Sequence, residues 1–201
     1  MKRISIYLYG NSFFMEFIIN NTIKLEQTAP SHAQPLFAAI DRNRQHLRKF
    51  LSWVDYMQSA DDVAKYIESC QSLNQAGEEL SFVIMNDQVL CGRIGLHLIN
   101  RQHKNAEIGY WLTEEAQGNG IVTACCKELI NYAFRQLGLH RITIKAAVEN
   151  HRSQSVPQRL GFTTEGILRG AELVNKQFLD LIVYSILKQE WAAENVVLPS
   201  A

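Results

Sequence analysis

The stretch from residue 105 to residue 148 constrains the fold of this chain most strongly. A strand pattern, "AEIGYWL", leads through the turn Gln117-Gly118-Asn119-Gly120 into a helical pattern, and Gly138 then precedes a second apolar strand, "HRITIKAAV". The helical pattern places apolar residues at three- and four-residue steps on one face. Two strands of one sheet that are joined through a helix run parallel, so we predict a sheet that contains one parallel pair.

The remaining patterns predict mainly antiparallel strands. Helices are predicted over residues 30–50 and in "DDVAKYIESCQSL". The runs "LSFVIMN", "LCGRIGLHLI" and "AEIGYWL" predict an antiparallel meander. A short helix in "HRSQSVPQRLG" and the strands "FTTEGILRGAELV" and "KQFLDLIVYSIL" follow. The predicted order is ααβββαβαββ, an α/β fold of mixed α+β type with helices flanking the sheet.

Composition limits the classes of partner. The chain has 201 residues, 47% apolar, with 20 basic and 20 acidic side chains, which is the make-up of one globular domain. Zero formal charge argues against a nucleic-acid partner. Asn11, Ser12 and Glu16 interrupt the apolar start, and no run reaches the roughly 18 apolar residues of a membrane span. We therefore expect a cytoplasmic protein without a membrane partner.

The cysteines and histidines show no metal-site spacing. Cys125 and Cys126 are adjacent in the predicted helix, and Cys70 and Cys91 stand apart from them. The six histidines are scattered, without the spacing of a helical metal pair. We expect buried thiols and no structural metal.

The turn Gln117-Gly118-Asn119-Gly120 has the makings of an anion site. A glycine-rich turn before a helix presents unpaired N–H groups and the positive end of the helix dipole. The motif does not match a P-loop, because Ile121 and Val122 follow Gly120 where Lys and Ser or Thr belong. It also lacks the third glycine of a dinucleotide fingerprint. A plain strand-to-helix turn remains the alternative at this point.

Four segments together resemble the GNAT superfamily of acetyl-CoA-dependent N-acetyltransferases. They are "AEIGYWL", "QGNGIV", "AAVENHRSQSV" and "RLGF", and the likeness extends from about Thr22 to Trp191. It is nearest to the branch of ribosomal-protein N-terminal acetyltransferases that includes RimL and RimJ. The resemblance implies a GNAT fold of about seven strands with a splayed parallel pair. It also divides the chain into an N-terminal extension (1–14), one acetyltransferase domain (15–192) and a tail (193–201).

The resemblance implies a site for acetyl-CoA as co-substrate. In the family, the loop pattern that binds the coenzyme pyrophosphate falls here on Gln117, Gly120 and Val122, and Val122 replaces the usual Gly or Ala. Asn150 would contact the pantetheine arm, with a helix cap as the alternative role. The implied coenzyme-binding residues are Tyr110, Trp111 and Leu112 at the acetyl end, then Gln117, Gly118, Asn119, Gly120, Ile121, Val122, Asn150 and Ser153.

The resemblance also implies the catalytic groups. Acetyl transfer needs a neutral amine and a protonated leaving thiolate. Pro157 stands where many family members have a tyrosine acid, so Ser153 is the candidate donor, with an ordinary helix-start serine as the alternative. Glu172 is the candidate base, with a solvated glutamate on a sheet edge as the alternative. Trp53 and Glu172 would border the acceptor pocket.

Three functions follow from this resemblance. The first is an enzyme that transfers the acetyl group directly to a primary amine, in particular the N-terminal amine of a ribosomal protein. The second is a small-amine acetyltransferase acting on a polyamine or an aminoglycoside, for which Asp55, Asp61, Asp62, Glu78 and Glu79 are available carboxylates. The third is an acetyl-CoA-binding sensor without catalysis. Dimers are common in the family, which raises a homodimer as a further expectation.

Overall fold

Nine strands and six α-helices make up the computed structural model, which describes residues 3–9 and 12–194. The strands are β1 (Arg3–Tyr9), β2 (Ser12–Ile18), β3 (Ile23–Gln27), β4 (Leu80–Asn86), β5 (Val89–Asn100), β6 (Asn105–Leu112), β7 (Arg141–Ala147), β8 (Thr163–Val174) and β9 (Gln177–Leu187). They form one sheet in the order β1-β2-β3-β4-β5-β6-β7-β9-β8. Among the described strands, β6 and β7 are the one parallel pair, so the predicted fold class is confirmed.

The helices lie between the strands. They are α1 (Ala33–Arg42), α2 (Arg44–Leu47), α3 (Ala60–Ala76), α4 (Ile121–Arg135), α5 (His151–Arg159) and α6 (Lys188–Glu194). Ser59 caps α3 by accepting a hydrogen bond from the Asp62 N–H, and Gly77 ends it in a left-handed conformation. Over residues 3–9 and 12–194, no helix combines the length and the apolar character that crossing a bilayer would need.

The sheet is larger than the sequence predicts. The meander β4–β5–β6, the β6–α4–β7 unit and the β8–β9 hairpin are confirmed. The sheet has nine strands instead of about seven, because β1 and β2 pair with each other and extend it beyond β3. In the sequence, the dipeptide Gly10-Asn11 stands between two apolar runs, which is a pattern typical of a β-hairpin. This dipeptide precedes Thr22, where the resemblance to the family begins.

Parts of two predicted segments lie outside the described residues. In the predicted extension 1–14 these are residues 1, 2, 10 and 11, and in the predicted tail 193–201 they are residues 195–201.

The helix predicted over residues 30–50 is interrupted at Asn43. The side chain of Asn43 is buried, and its Nδ2 donates to the carbonyl oxygen of Ala39 at 2.9 Å. Its Oδ1 accepts from the Glu114 N–H at 2.8 Å. This tertiary bond holds Asn43 out of helical geometry, with φ −111° and ψ 12°, and sets α2 beside the turn that precedes α4.

Each face of the sheet carries its own core. α4 packs its apolar side on one face, where it meets residues such as Ile94, Ile108 and Ile142. α1 and α3 pack on the other face around Val83 and Trp111. The predicted apolar face of α4 is therefore confirmed, and two well-filled layers hold the central strands in place.

The parallel strands β6 and β7 pair over only three residues each. The pairs are Asn105 with Arg141, Ala106 with Ile142 and Glu107 with Thr143. Beyond Glu107, β6 continues to Leu112 and β7 continues to Ala147 without pairing to each other. A gap therefore opens in the sheet, and the N-terminus of α4 lies just past the end of β6.

All four cysteines are buried and free, as predicted. The exposed fractions are 3% for Cys70, 6% for Cys91 and 0% for both Cys125 and Cys126. Burial raises the pKa of every one of these thiols, that of Cys91 to about 11.

Candidate active site

The glycine turn between β6 and α4 is open toward solvent. Gly118 has φ +82° and Gly120 has φ +69°, a left-handed region that favours glycine. Apart from adjacent backbone, no atom lies within 4 Å of where a Cβ would stand at either position. Gly120 is the N-cap of α4 without a side-chain cap, so the first N–H groups of the helix face this open space. The turn therefore has the shape and polarity of an anion cradle.

Val122 fits the turn without entering the cradle. Its side chain is 9% exposed and belongs to the core beneath α4, together with Cys125 and Cys126. The bulky residue at the position where the family pattern has Gly or Ala is thus absorbed by the core, and its backbone N–H still lies in the first turn of α4.

Gln117 is held by two residues that the sequence did not predict. The Nη1 of Arg152 donates to Gln117 Oε1 at 2.6 Å, which directs the amide nitrogen of Gln117 toward His46. That nitrogen lies 2.5 Å from His46 Nε2, so this ring nitrogen accepts and the ring is neutral with its proton on Nδ1. Burial is the main cause of a lowered pKa for His46, which keeps the ring neutral. No local pattern marks His46 or Arg152, because the contacts span 71 and 35 residues.

The backbone of the last residues of β6 lines the gap, and their side chains hold the strand against the two cores. Tyr110 packs against the α4 core, and Leu112 is a member of it. Trp111 points to the opposite face, where it is 8% exposed and lies 6.1 Å from Trp53 between ring centroids. The side chains of all three residues therefore stabilise the strand, and the edge of β6 that faces β7 stays available beyond Glu107.

Asn150 and Ser153 begin α5 at the other side of the gap. The Asn150 Oδ1 accepts from the Ser153 N–H at 3.1 Å, so Asn150 has the capping role that was the alternative. Pro157 lacks the N–H that would bond to the Ser153 carbonyl, but the Tyr110 hydroxyl donates to that oxygen at 2.9 Å. The Ser153 hydroxyl also lies 3.3 Å from the Tyr110 oxygen. Tyr110 thus compensates for the proline.

Glu172 lies beside Ser52, where β8 departs from regular pairing. The register of β8 with β9 shifts between Leu168 and Glu172. Glu172 is half-buried, and this burial raises the pKa of its carboxyl even though a hydrogen bond with Ser52 opposes the shift. Ser52 directly precedes Trp53. The next turn is fixed as well, because Asn175 Nδ2 donates to the Arg48 carbonyl at 2.7 Å.

The structure gathers the predicted residues into two groups. The glycine turn, Tyr110 and the start of α5 surround the gap between β6 and β7. Glu172 and Trp53 form the second group on the α1/α3 face of the sheet. The contact between Trp53 and Trp111 joins the two groups, because Trp111 directly follows Tyr110 in β6. Such a layout suits a ligand in the gap and a second reactant above it.

Metal ligation has no support in the described part of the chain. No group of three His, Cys, Asp or Glu side chains lies close enough together there to hold an ion.

Comparison with known proteins agrees with this geometry. The family model for an acetyltransferase (GNAT) domain matches residues 22–163. The chain is 39% identical to the putative ribosomal N-acetyltransferase YdaF of Bacillus subtilis (strain 168), over 88% of this chain and 97% of that protein. It is 34% identical to the ribosomal-protein-serine acetyltransferase of Escherichia coli (strain K12), over 83% and 93%.

A solved structure gives the same result. The RimL ribosomal L7/L12 alpha-N-protein acetyltransferase in complex with coenzyme A superposes with a TM-score of 0.80 at 30% identity, covering 84% of this chain and 96% of that one. The match in sequence, fold and glycine turn leads to one conclusion: the chain belongs to the GNAT acetyltransferase family.

Proposed function

We propose that this acetyltransferase moves the acetyl group of acetyl-CoA directly to the N-terminal amine of a protein, in particular a ribosomal protein, in the cytoplasm. The observation that carries the coenzyme part is the open glycine turn at the mouth of the β6–β7 gap. The acceptor part is supported by the relatives, whose names describe acetylation of ribosomal proteins.

The chain's own residues fit the coenzyme. The backbone N–H groups after Gly118 and Gly120 would hold the pyrophosphate, and the free edge of β6 at residues 108–112 would pair with the amides of the pantetheine arm. The coenzyme supplies an activated thioester when it is bound. The protein must then deprotonate the acceptor, stabilise the oxyanion and protonate the thiolate.

Glu172 and Ser153 are proposed for the two proton transfers. A carboxyl with a raised pKa is better matched to accepting a proton near neutral pH than an ordinary glutamate is. The amine nitrogen then forms the C–N bond as the C–S bond breaks. The Ser153 hydroxyl, which donates to the Tyr110 oxygen at 3.3 Å in this structure, would instead donate to the leaving sulfur.

Three of the five carboxylates that a polyamine site could use already bond to other residues of the fold. Asp55 pairs with Arg48 at 3.0 Å, and Asp62 accepts from Ser59 at the start of α3. Glu79 is buried and pairs with Arg93 at 2.7 Å. Three of the five candidates thus have partners within the fold, which favours a peptide N-terminus over a polycation.

The test is a thiol-release assay with a panel of acceptors. We expect release with peptides that begin with Ser or Ala and carry a free N-terminus, and none with the same peptides blocked at the N-terminus. Faster release with polyamines or aminoglycosides would instead identify a small-amine enzyme. Tight acetyl-CoA binding without release from any acceptor would identify a sensor.

A further inference from the structure

A buried ion-pair cluster holds one histidine in a defined orientation on the α1/α3 face of the sheet. Glu79 is 7% exposed, and its Oε1 accepts from Arg93 Nη2 at 2.7 Å. Its Oε2 lies 3.2 Å from His97 Nδ1. Burial would raise the pKa of Glu79, but the hydrogen bond from His97 and the charges of His97 and Arg93 lower it below its ordinary value. Glu79 is therefore a carboxylate, and His97 Nδ1 carries the proton that it donates to Glu79.

Further contacts make this cluster rigid. Arg93 Nε donates to Ser81 Oγ at 2.9 Å, and the guanidinium lies 4.8 Å above the ring of Tyr66. Because Arg93 is bonded on several sides, Glu79 cannot turn away from His97 without leaving a buried cation unpaired. The carboxylate thus sets the tautomer of His97 in the way that an acidic partner orients a catalytic base.

The His97 ring occupies space that two glycines leave open. A Cβ at Gly95 would stand 3.1 Å from His97 Nε2, and a Cβ at Gly109 would stand 3.3 Å from the same nitrogen. Gly109 lies in β6 just past Glu107, the last residue of β6 that pairs with β7. The His97 side chain is 28% exposed, and its contact with Glu79 is made through Nδ1. With Nδ1 directed at Glu79, Nε2 is the ring nitrogen that lies beside the opening of the gap.

The α1/α3 face of the sheet carries the residues between His97 and Glu172. Trp111 is two residues beyond Gly109 in β6 and so lies on the same side of the strand. Trp111 contacts Trp53, and Ser52 beside Trp53 bonds to Glu172. His97 over Gly109 and Glu172 at Ser52 are thus connected along the chain to the two tryptophans that contact each other.

Acetylation of an amine releases two protons from the acceptor nitrogen. One leaves when the ammonium becomes a neutral amine, and the second leaves when the C–N bond of the amide forms. The thiolate takes up one proton from its own donor, so the overall reaction liberates one proton to solvent. A single carboxylate that has already accepted the first proton cannot take the second until it has passed the first on.

We propose that His97 is a second catalytic proton acceptor, whose Nε2 contacts the acceptor nitrogen and takes one of these two protons. Glu79 is the positioning residue, because its contact with Nδ1 leaves Nε2 as the ring nitrogen that faces the acceptor. This inference rests on the proposed function, because it requires an amine above the β6–β7 gap. His97 serves the acceptor and not the coenzyme.

The experiment compares His97→Ala and His97→Gln with His103→Gln as a matched control, since His103 is exposed in the turn between β5 and β6. With the most active N-terminal peptide, we expect kcat/KM to fall about 100-fold in both His97 variants and to stay within about twofold in the control. The acetyl-CoA Kd, measured by calorimetry, should stay within about twofold in all three. One ionisation in the pH profile of kcat/KM should disappear with His97 and remain in Glu172→Gln.

A second readout does not depend on turnover. The ¹⁵N resonances of the His97 ring should show the Nδ1–H tautomer at neutral pH, and Nε2 should shift when an N-terminally acetylated product peptide is added. Unchanged kcat/KM and pH profile in both His97 variants of an active enzyme, or an Nε2–H tautomer, would overturn the role of His97 alone. Absence of thiol release by the wild-type protein with every acceptor would overturn the proposed function as well.

Discussion

The Tyr110 hydroxyl donates to the Ser153 carbonyl at 2.9 Å, and the Ser153 hydroxyl lies 3.3 Å from the same phenol oxygen. The bond joins the free end of β6 to the first turn of α5 across the gap in the sheet. Burial raises the pKa of Tyr110, so the phenol stays protonated at any working pH. The candidate acid therefore has a permanent hydrogen-bonding partner, and the two residues should act as a unit.

A double-mutant cycle tests that unit. We expect Tyr110→Phe to lower the free energy of unfolding by about 1 kcal/mol, because it leaves the Ser153 carbonyl without its donor. Tyr110→Phe and Ser153→Ala should each lower kcat, and the double variant should lose less than the sum, with a coupling of about 0.5–3 kcal/mol. Tyr132→Phe on α4 is the control. Strictly additive losses in kcat would show that Ser153 works without Tyr110.

Replacement of Glu172 by Gln tests the base. The raised pKa means that the carboxyl loses its proton at a higher pH than an ordinary glutamate, so turnover should rise with pH through that value and level off above it. The Glu172→Gln variant should lose this rise and about 10²–10⁴-fold in kcat/KM. Acetyl-CoA binding should be nearly unchanged.

Glu165→Gln is the control for Glu172, because it changes the same residue type on the same strand. Glu165 pairs with Arg141 and Ser185, away from Ser52. An equal loss of activity in both variants would assign the effect to the stability of the β8–β9 hairpin and not to catalysis.

The glycine turn allows strain to be separated from binding. Gly120 is the N-cap of α4 and Gly138 lies just beyond its C-cap Gln136, with φ of +69° and +66°, and apart from adjacent backbone neither has an atom within 4 Å of the place that a Cβ would occupy. Alanine should therefore cost about 1–2 kcal/mol of folding stability at either position. Only Gly120→Ala should weaken acetyl-CoA binding, because its Cβ would project into the cradle. Calorimetric titration and urea unfolding of both variants measure the two effects, and equal acetyl-CoA Kd values would remove the turn from the binding site.

The lowered pKa of His46 predicts how the affinity for acetyl-CoA changes with pH. Its pKa is lowered from 6.5 by burial, although Glu114 opposes this shift and Lys49 and Arg152 add to it. Protonation removes the lone pair that accepts from Gln117. Affinity for acetyl-CoA should hold above about pH 7 and weaken as the pH falls through the lowered pKa, below 6.5.

The free energy of unfolding should also decrease as the pH falls. An unfolded chain binds the proton of His46 at a higher pH than the folded chain does, so the free energy of unfolding decreases as the pH falls below 6.5. His46→Gln keeps an acceptor for Gln117 and should lose both dependences, while His103→Gln should keep them. If acetyl-CoA affinity falls with acid in His46→Gln as it does in the wild type, protonation of the ligand phosphates and not of His46 would explain the loss of affinity.

The sequence predicts the parts of the fold that rest on local patterns. The β6–α4–β7 unit follows from hydrophobic periodicity between two glycines, and the α5 start follows from Asn150. The break at Asn43 could not be predicted, because it depends on a bond to Glu114 that spans 71 residues. Strands β1 and β2 had a signal in Gly10-Asn11, but a hairpin of this kind gains its stability only by pairing with β3.

The residues of the candidate site also divide into those that local sequence motifs predict and those that depend on long-range contacts. The glycine turn and Ser153 lie in short motifs, so their positions could be predicted. His46 and Arg152 reach Gln117, and Glu79 reaches His97, through contacts between separate elements, and no spacing in the sequence marks them. The coenzyme-binding and catalytic roles of the motif residues remain predictions until the variants are measured.

Burial of the four cysteines has a practical consequence for studying this enzyme. Thiol reagents attack the thiolate, and each of these side chains is both shielded from solvent and shifted toward the protonated form. A chromogenic disulfide added to the native protein should therefore develop little colour until coenzyme A is released. The tight packing around these thiols on both faces of the sheet thus supplies a low chemical background, and the signal can be followed continuously as product accumulates.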